Sequence, residues 1–300
     1  MNLAAVQRVL GLLLMIFSFA MLPPVLVALI YGDGEAFTFF KSFLVVLALG
    51  TLVWMPVRSE RRDLRRRDGA LIVALFWIVL GTAGATPILL TQSVMLSITD
   101  SVFVAISGLT TTGAEVIVGL DVLPESILFY RQWLQWLGGM GIIVLAVAIL
   151  PLLGVGGMQL YRAETPGPSK DTKLTPRITE TAKTLWVIYV FFTILCIVAF
   201  RFAGMDWFDA VGHGFSTIAI GGFSTHDLSM GDFDSVAVEL VAISCRVERA
   251  AQAGPGVRGG LVEALPRAML SYVRPECGDE FIATSTVRVE REVEQEEPAV

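Results

Sequence analysis

Apolar residues in this chain gather into runs long enough to cross a bilayer, separated by short polar stretches. After Arg8 comes "VLGLLLMIFSFAMLPPVLVALIY", longer than the apolar core of a signal peptide, which predicts a retained spanning helix. Pro23 and Pro24 remove two backbone donors in its middle, so that helix is expected to kink or break there. A second span runs from about Ala36 to Val57, with Lys41 near its outer end, where a lysine can snorkel. From Gly69 to Thr99 no residue is charged, enough for a third span and a short turn. A fourth begins near Ser126 and continues through "QWLQWLGGMGIIVLAVAILPLLGVGGMQLY". A fifth covers about Thr184 to Arg201, and a further helix opens near Phe233 with "FDSVAVELVAI".

The polar stretches set an orientation. "RSERRDLRRRDG", Arg58 to Gly69, holds six arginines, and "RAETPGPSKDTKLTPRITETAK" holds five Lys or Arg. Short loops so rich in cations stay in the cytoplasm. Asp33, Glu35, Glu115, Asp121, Asp227, Asp232 and Asp234 fall on the other side. Arg131, near an outer end, is the exception, and Trp133 and Trp136 beside it read as interfacial anchors.

Two segments are too short to span. Between the third and fourth spans lies "TDSVFVAISGLTTTGAEV", Thr99 to Val116. A helix from Asp100 to about Leu109 is roughly 15 Å long, half of a hydrocarbon core of about 30 Å. Non-helical backbone at that depth survives only buried in protein or lining a watery cavity. The helix enters from outside, where Asp100 can cap it, so its negative end points at the membrane centre and favours a cation. Gly113 permits backbone conformations closed to other residues, letting successive carbonyls turn toward one axis, as in potassium filters. Taken alone, the loop reads equally well as a hydroxyl-rich external turn.

A second copy follows the fifth span: "MDWFDAVGHGFSTIAIGGFSTHD", with a short helix expected over 208–218. A shift of 109 residues superposes Asp100 on Asp209, Val102 on Val211, Ser107 on Ser216 and Gly113 on Gly222. Thr110, Thr111 and Thr112 then correspond to Ala219, Ile220 and Gly221. Span, half-helix, glycine loop and span recur in order, as internal repeats do in transport proteins. Different side chains at equivalent positions fit a site built from main-chain carbonyls.

Composition agrees: 54% hydrophobic and 17% charged residues with mean hydropathy +0.69 describe an all-α polytopic membrane protein. The net charge of -6, with cations confined to short loops, gives no footing for a nucleic-acid partner. Cys196, Cys245 and Cys277 have no metal-site or disulfide spacing. His213 and His226 have too few ligands near them in sequence for a metal. The glycines of "WLGGMG" and "GVGGM" point to close helix packing or bending, since no GK[ST] follows. Glu115 could concentrate cations at the mouth. No paired carboxylates or nucleophile-base pair argues for an enzyme.

"SGLTTTGAEVI", "RQWLQWLGGMGIIVLAVAILPLLGVGGMQLYRAETPGP" and "GFSTIAIGGFSTHD" resemble the membrane subunits of bacterial Trk potassium uptake systems, in the Trk/Ktr/HKT superfamily. The resemblance covers about residues 1 to 243. It implies an N-terminal helix pair (1–57), a cytoplasmic arginine-rich loop (58–69), pore repeat 1 (70–153), a cytoplasmic loop (154–183) and pore repeat 2 (184–243), two of an expected four. It also implies potassium transport across the bacterial inner membrane, either as a symport coupled to sodium or protons or as passive flux. The ion would be held by carbonyls of Thr110, Thr111, Thr112 and Gly113 and of Ala219, Ile220, Gly221 and Gly222, with no cofactor. The implied partners are the lipid membrane, a second copy in a homodimer, and a cytosolic nucleotide-binding regulatory subunit of the TrkA kind. Residues 244–300 depart from the pattern: no spanning segment, seven Arg, no Lys, and scattered Pro and Gly. A reading-frame shift or truncated gene model is expected to account for this tail, the alternative being a genuine regulatory tail. The runner-up function is a non-conducting membrane fragment or assembly partner with a vestigial pore.

Overall fold

The computed structural model describes residues 3–59, 66–153 and 174–252. Among these, regular structure is helical throughout: α1 (Leu3–Ser18), α2 (Leu22–Tyr31), α3 (Ala36–Trp54), α4 (Arg66–Gly84), α5 (Thr86–Leu90), α6 (Ile98–Leu109), α7 (Glu125–Leu153), α8 (Leu174–Phe202), α9 (Trp207–Ala219) and α10 (Val236–Gln252). Residues Met1–Arg246 form one compact unit. Residues 60–65 of the arginine-rich loop, residues 154–173 with "GVGGM" and the first half of the second cationic loop, and residues 253–300 lie outside the described residues.

Four described segments are long and apolar enough to cross a membrane: Leu3–Tyr31, Ala36–Val57, Leu71–Leu90 and Lys183–Phe202. The break in the first is a 3-10 turn at Phe19–Met21, just ahead of Pro23 and Pro24, which occupy the opening of α2 where a missing N–H costs little. α8 starts about ten residues before the predicted span, because the cationic segment before Thr184 continues as helix. α10 opens at Val236, since Ser229–Phe233 forms a 3-10 turn and Asp234 takes a left-handed conformation.

α6 has 12 residues and α9 has 13, about 18 and 20 Å at 1.5 Å per residue, so neither can cross about 30 Å of hydrocarbon. The long helix α7 packs against both of them and against α8. One apolar core, containing Phe39, Val104, Ile127 and Leu134, joins the N-terminal helices to α6 and α7. A second, containing Cys196, Phe200, Ala210 and Val238, joins α8, α9 and α10. Glycines permit this closeness: a Cβ on Gly138 of α7 would overlap the Leu109 carbonyl oxygen at the end of α6, and one on Gly139 would lie 2.7 Å from the Tyr189 hydroxyl.

Candidate functional site: two glycine loops held by one helix

Each half-helix starts on a side-chain cap three residues before an aspartate. Ser97 Oγ accepts from the Asp100 backbone N–H at 3.1 Å, and Asp206 Oδ1 accepts from that of Asp209 at 2.8 Å. Ser97 is therefore the cap of α6. The expectation for Asp100 is corrected by three residues, because Ile98 and Thr99 already lie in the helix. Ser97 and Asp206 are themselves 109 residues apart.

The same offset relates the loops bond by bond. The Thr111 N–H donates to Gly108 O at 3.0 Å, as Ile220 does to Thr217 O at 3.1 Å. The Thr112 N–H donates to Ser107 O at 2.9 Å, as Gly221 does to Ser216 O at 2.8 Å. Thr111 and Ile220 have φ of 57° and 55°, and Gly113 and Gly222 have φ of 73° and 93°. The glycines were anticipated from the sequence; left-handed Thr111 and Ile220 were not. A threonine or a β-branched isoleucine in that region is strained by about 1–3 kcal/mol, so nothing in residue type announces it.

The loops touch. A Cβ on Gly113 would overlap the Gly221 carbonyl oxygen, so both φ and space demand glycine there. Around Gly222 no atom lies within 4 Å of an added Cβ, so only φ demands it. The Thr110 and Thr112 hydroxyls lie 2.8 Å apart, and Ser107 Oγ donates to Ala114 O at 2.8 Å. In the second loop Ser216 Oγ accepts from the Gly222 N–H at 3.0 Å.

Behind both loops stands α7. Arg131 is fully buried, its guanidinium paired with Glu115 and placed over the Phe223 ring at 4.8 Å. Its Nη1 donates to Ser224 O at 3.4 Å. One turn on, Gln135 Oε1 accepts from the Phe223 N–H at 3.2 Å. Glu115 is thus neutralised by an arginine, which corrects its reading as a free cation collector. The tryptophans are corrected too: Trp133 Nε1 donates to Ala20 O at 2.9 Å and Trp136 Nε1 to Thr193 Oγ1 at 3.0 Å, so both indoles are satisfied inside the protein.

The outer ends of the loops meet as well. Asp227 Oδ1 accepts from the backbone of Gly119 and Leu120 at 3.1 and 3.0 Å. His226 lies 2.8 Å from Asp121, 3.3 Å from Asp209 and 3.5 Å from Asp232. Burial disfavours its charged form, but the hydrogen bonds to Asp121 and Asp209 and the charges of Asp209 and Asp232 outweigh it, raising its pKa above the ordinary imidazole value. Asp121, His226 and Asp232 bring ligand atoms within 4.8 Å of one another, a grouping invisible in a sequence that separates Asp121 from His226 by 105 residues. His213 is buried between Asp209 O and Ser224 Oγ, both at 3.0 Å.

The TrkH family model, described as a cation transport protein, matches residues 35–247. The chain belongs to this family. It is 61% identical over 241 residues to the Trk system potassium uptake protein TrkH of Halomonas elongata and equally so to that of Escherichia coli K12, covering 80% of this chain and 50% of each relative. TrkG of Escherichia coli K12 is 46% identical over the same length. The crystal structure of the potassium transporter TrkH from Vibrio parahaemolyticus superposes with a TM-score of 0.73 at 53% identity, over 86% of this chain and 53% of that one. The chain spans about half the length of the relatives it matches. Membership in a family of transporters agrees with the absence of any enzymatic grouping in the sequence reading.

Proposed function

We propose that this chain takes part in potassium uptake across the bacterial inner membrane, with backbone carbonyls of Thr110–Gly113 and Ala219–Gly222 coordinating the ion. The carrying observation is the shared backbone of two loops whose side chains differ: threonines in one, alanine, isoleucine and glycine in the other. A site made by side chains would not survive that exchange, whereas a site made by carbonyls would. The negative ends of α6 and α9 adjoin the loops and favour a cation there. On this reading residues 70–153 and 184–243 are two pore repeats behind an N-terminal helix pair, and the relatives' name supplies potassium. A homodimer, a cytosolic nucleotide-sensing partner and coupling to a second ion belong to the same reading by resemblance.

The test is growth of a potassium-uptake-deficient strain expressing the chain, with rubidium and sodium fluxes measured. Growth on low potassium and rubidium flux exceeding sodium flux are expected. The second reading, a non-conducting fragment or assembly partner, draws on coverage of 50% of the relatives' length. It predicts no rescue alone, yet co-purification with co-expressed matching relatives.

A further inference from the structure

Arg131 is the cation that the orientation pattern left over, and the fold puts it beside the loops. A guanidinium removed from water costs several kcal/mol unless its partners are well placed, so a buried arginine in the core of a membrane protein calls for a specific explanation. Its partners are not a random set. Glu115 and Ser224 are separated by 109 residues, and therefore occupy the same position after each glycine loop. Arg131 binds the carboxylate of the first and the main-chain carbonyl of the second.

Both contacts lead into rigid backbone. Glu115 Oε1 accepts from the Val116 and Ile117 N–H groups at 3.2 and 3.0 Å, fixing the chain that leaves the first loop. Ser224 Oγ lies 3.0 Å from His213 Nε2 and accepts from the His226 N–H at 3.1 Å, fixing the chain that leaves the second. Gln135, on the same face of α7, holds Phe223, and an added Cβ on Gly221 would overlap its side chain. The position in α10 equivalent to Arg131 is Leu240, 52% exposed. One cation on one helix therefore serves both loops.

We propose that Arg131 is a positioning residue that ties the two filter loops together through Glu115 and the Ser224 carbonyl, setting ion selectivity without touching the ion. This rests on the carbonyl-filter reading above. A planar guanidinium reaches two acceptors at once from a fixed fork; an ammonium does not, so lysine is a poor replacement.

The variants are Arg131→Gln, Arg131→Lys and Glu115→Gln, made in the whole chain purified in detergent. Two readouts apply: hydrogen exchange of the peptides covering 110–118 and 219–226, and thermal unfolding titrated with K+ or Na+ at constant ionic strength. Each single change should raise exchange in both loops at once and lower the ratio of K+ to Na+ affinity about tenfold, within the usual range of coupling between sites. An electrostatic role differs in sign. Arg131→Gln would leave a buried carboxylate that tightens cation binding, and Glu115→Gln would leave a buried cation that weakens it.

Opposite signs for these two variants, or loss of protection in only one loop, would overturn the proposal. Should Arg131→Gln fail to fold, Arg131→Lys takes its place with a different contrast: it keeps the charge, so a purely electrostatic role predicts unchanged affinity and exchange there, whereas loss of the fork predicts the same changes as in Glu115→Gln. A wild-type chain whose stability does not distinguish K+ from Na+ sinks the filter reading, and the exchange of both loops then decides the tie by itself.

Discussion

The first loop, residues 107–115, and the second, residues 216–224, share a backbone and little else. The first is braced from within: Thr110 and Thr112 bond to each other, and the Ser107 hydroxyl reaches Ala114. The second has no hydroxyl at the positions of those threonines; it keeps one inner brace, Ser216 on the Gly222 N–H, and is otherwise held from behind, by Gln135 on Phe223. Two ways of holding the chain give matching hydrogen bonds and matching positive φ at Thr111 and Ile220. The backbone is the preserved feature, and the side chains are alternative supports for it.

That comparison is most severely tested at Gly113. Gly113→Ser meets both the left-handed φ and the Gly221 carbonyl, so the ratio of K+ to Na+ affinity should fall by on the order of 100-fold, as for a site displaced by about 1 Å. Unchanged affinity and selectivity there would end the carbonyl-filter reading of this loop. Gly222→Ala meets the φ cost alone and should lose about tenfold, from strain of roughly 1–3 kcal/mol. An effect at Gly222 equal to that at Gly113 would show that contact between the loops is unimportant.

A smaller effect is expected where the loops join outside. His226 has a raised pKa in the folded chain, so its stabilising charge is fully present below the unfolded value near 6.5 and is lost as pH rises through the raised value. His226→Gln should therefore lower the thermal midpoint at pH 6 by a few degrees, and the gap to wild type should close as pH rises above neutrality. A gap that widens with pH would mean that the carboxylates of Asp121, Asp209 and Asp232 do not govern this histidine. Thr112→Ser should change least, since it keeps the hydroxyl facing Thr110 and the main-chain carbonyl. A loss larger than that of Gly222→Ala would return the site to side-chain chemistry.

Much of this architecture was legible in the chain itself. Apolar runs of bilayer length specify spanning helices through the cost of unpaired backbone in lipid, and that constraint acts on each segment separately. The half-helices were readable by the same logic, with errors of one or two residues at their ends, as was the repeat that pairs Gly113 with Gly222. The cap of α6 was displaced to Asp100 because a serine and an aspartate three residues apart both suit a helix start.

What local sequence could not express is pairing between distant residues. Arg131 breaks the charge pattern of the loops, and nothing within several residues of it says why; Glu115 and Ser224 lie 16 and 93 positions away. The tryptophans looked like interfacial anchors because residue type alone does not reveal that Ala20 and Thr193 accept their indole protons. His226 seemed short of ligands until folding carried Asp121 to it. The sequence by itself determined which segments cross, which stop halfway and where the backbone must bend left-handed at glycine, since these follow from local solvation and sterics. Only the tertiary structure decided which charges neutralise each other and which helix holds both loops, because electrostatic and packing partners are chosen by distance in space.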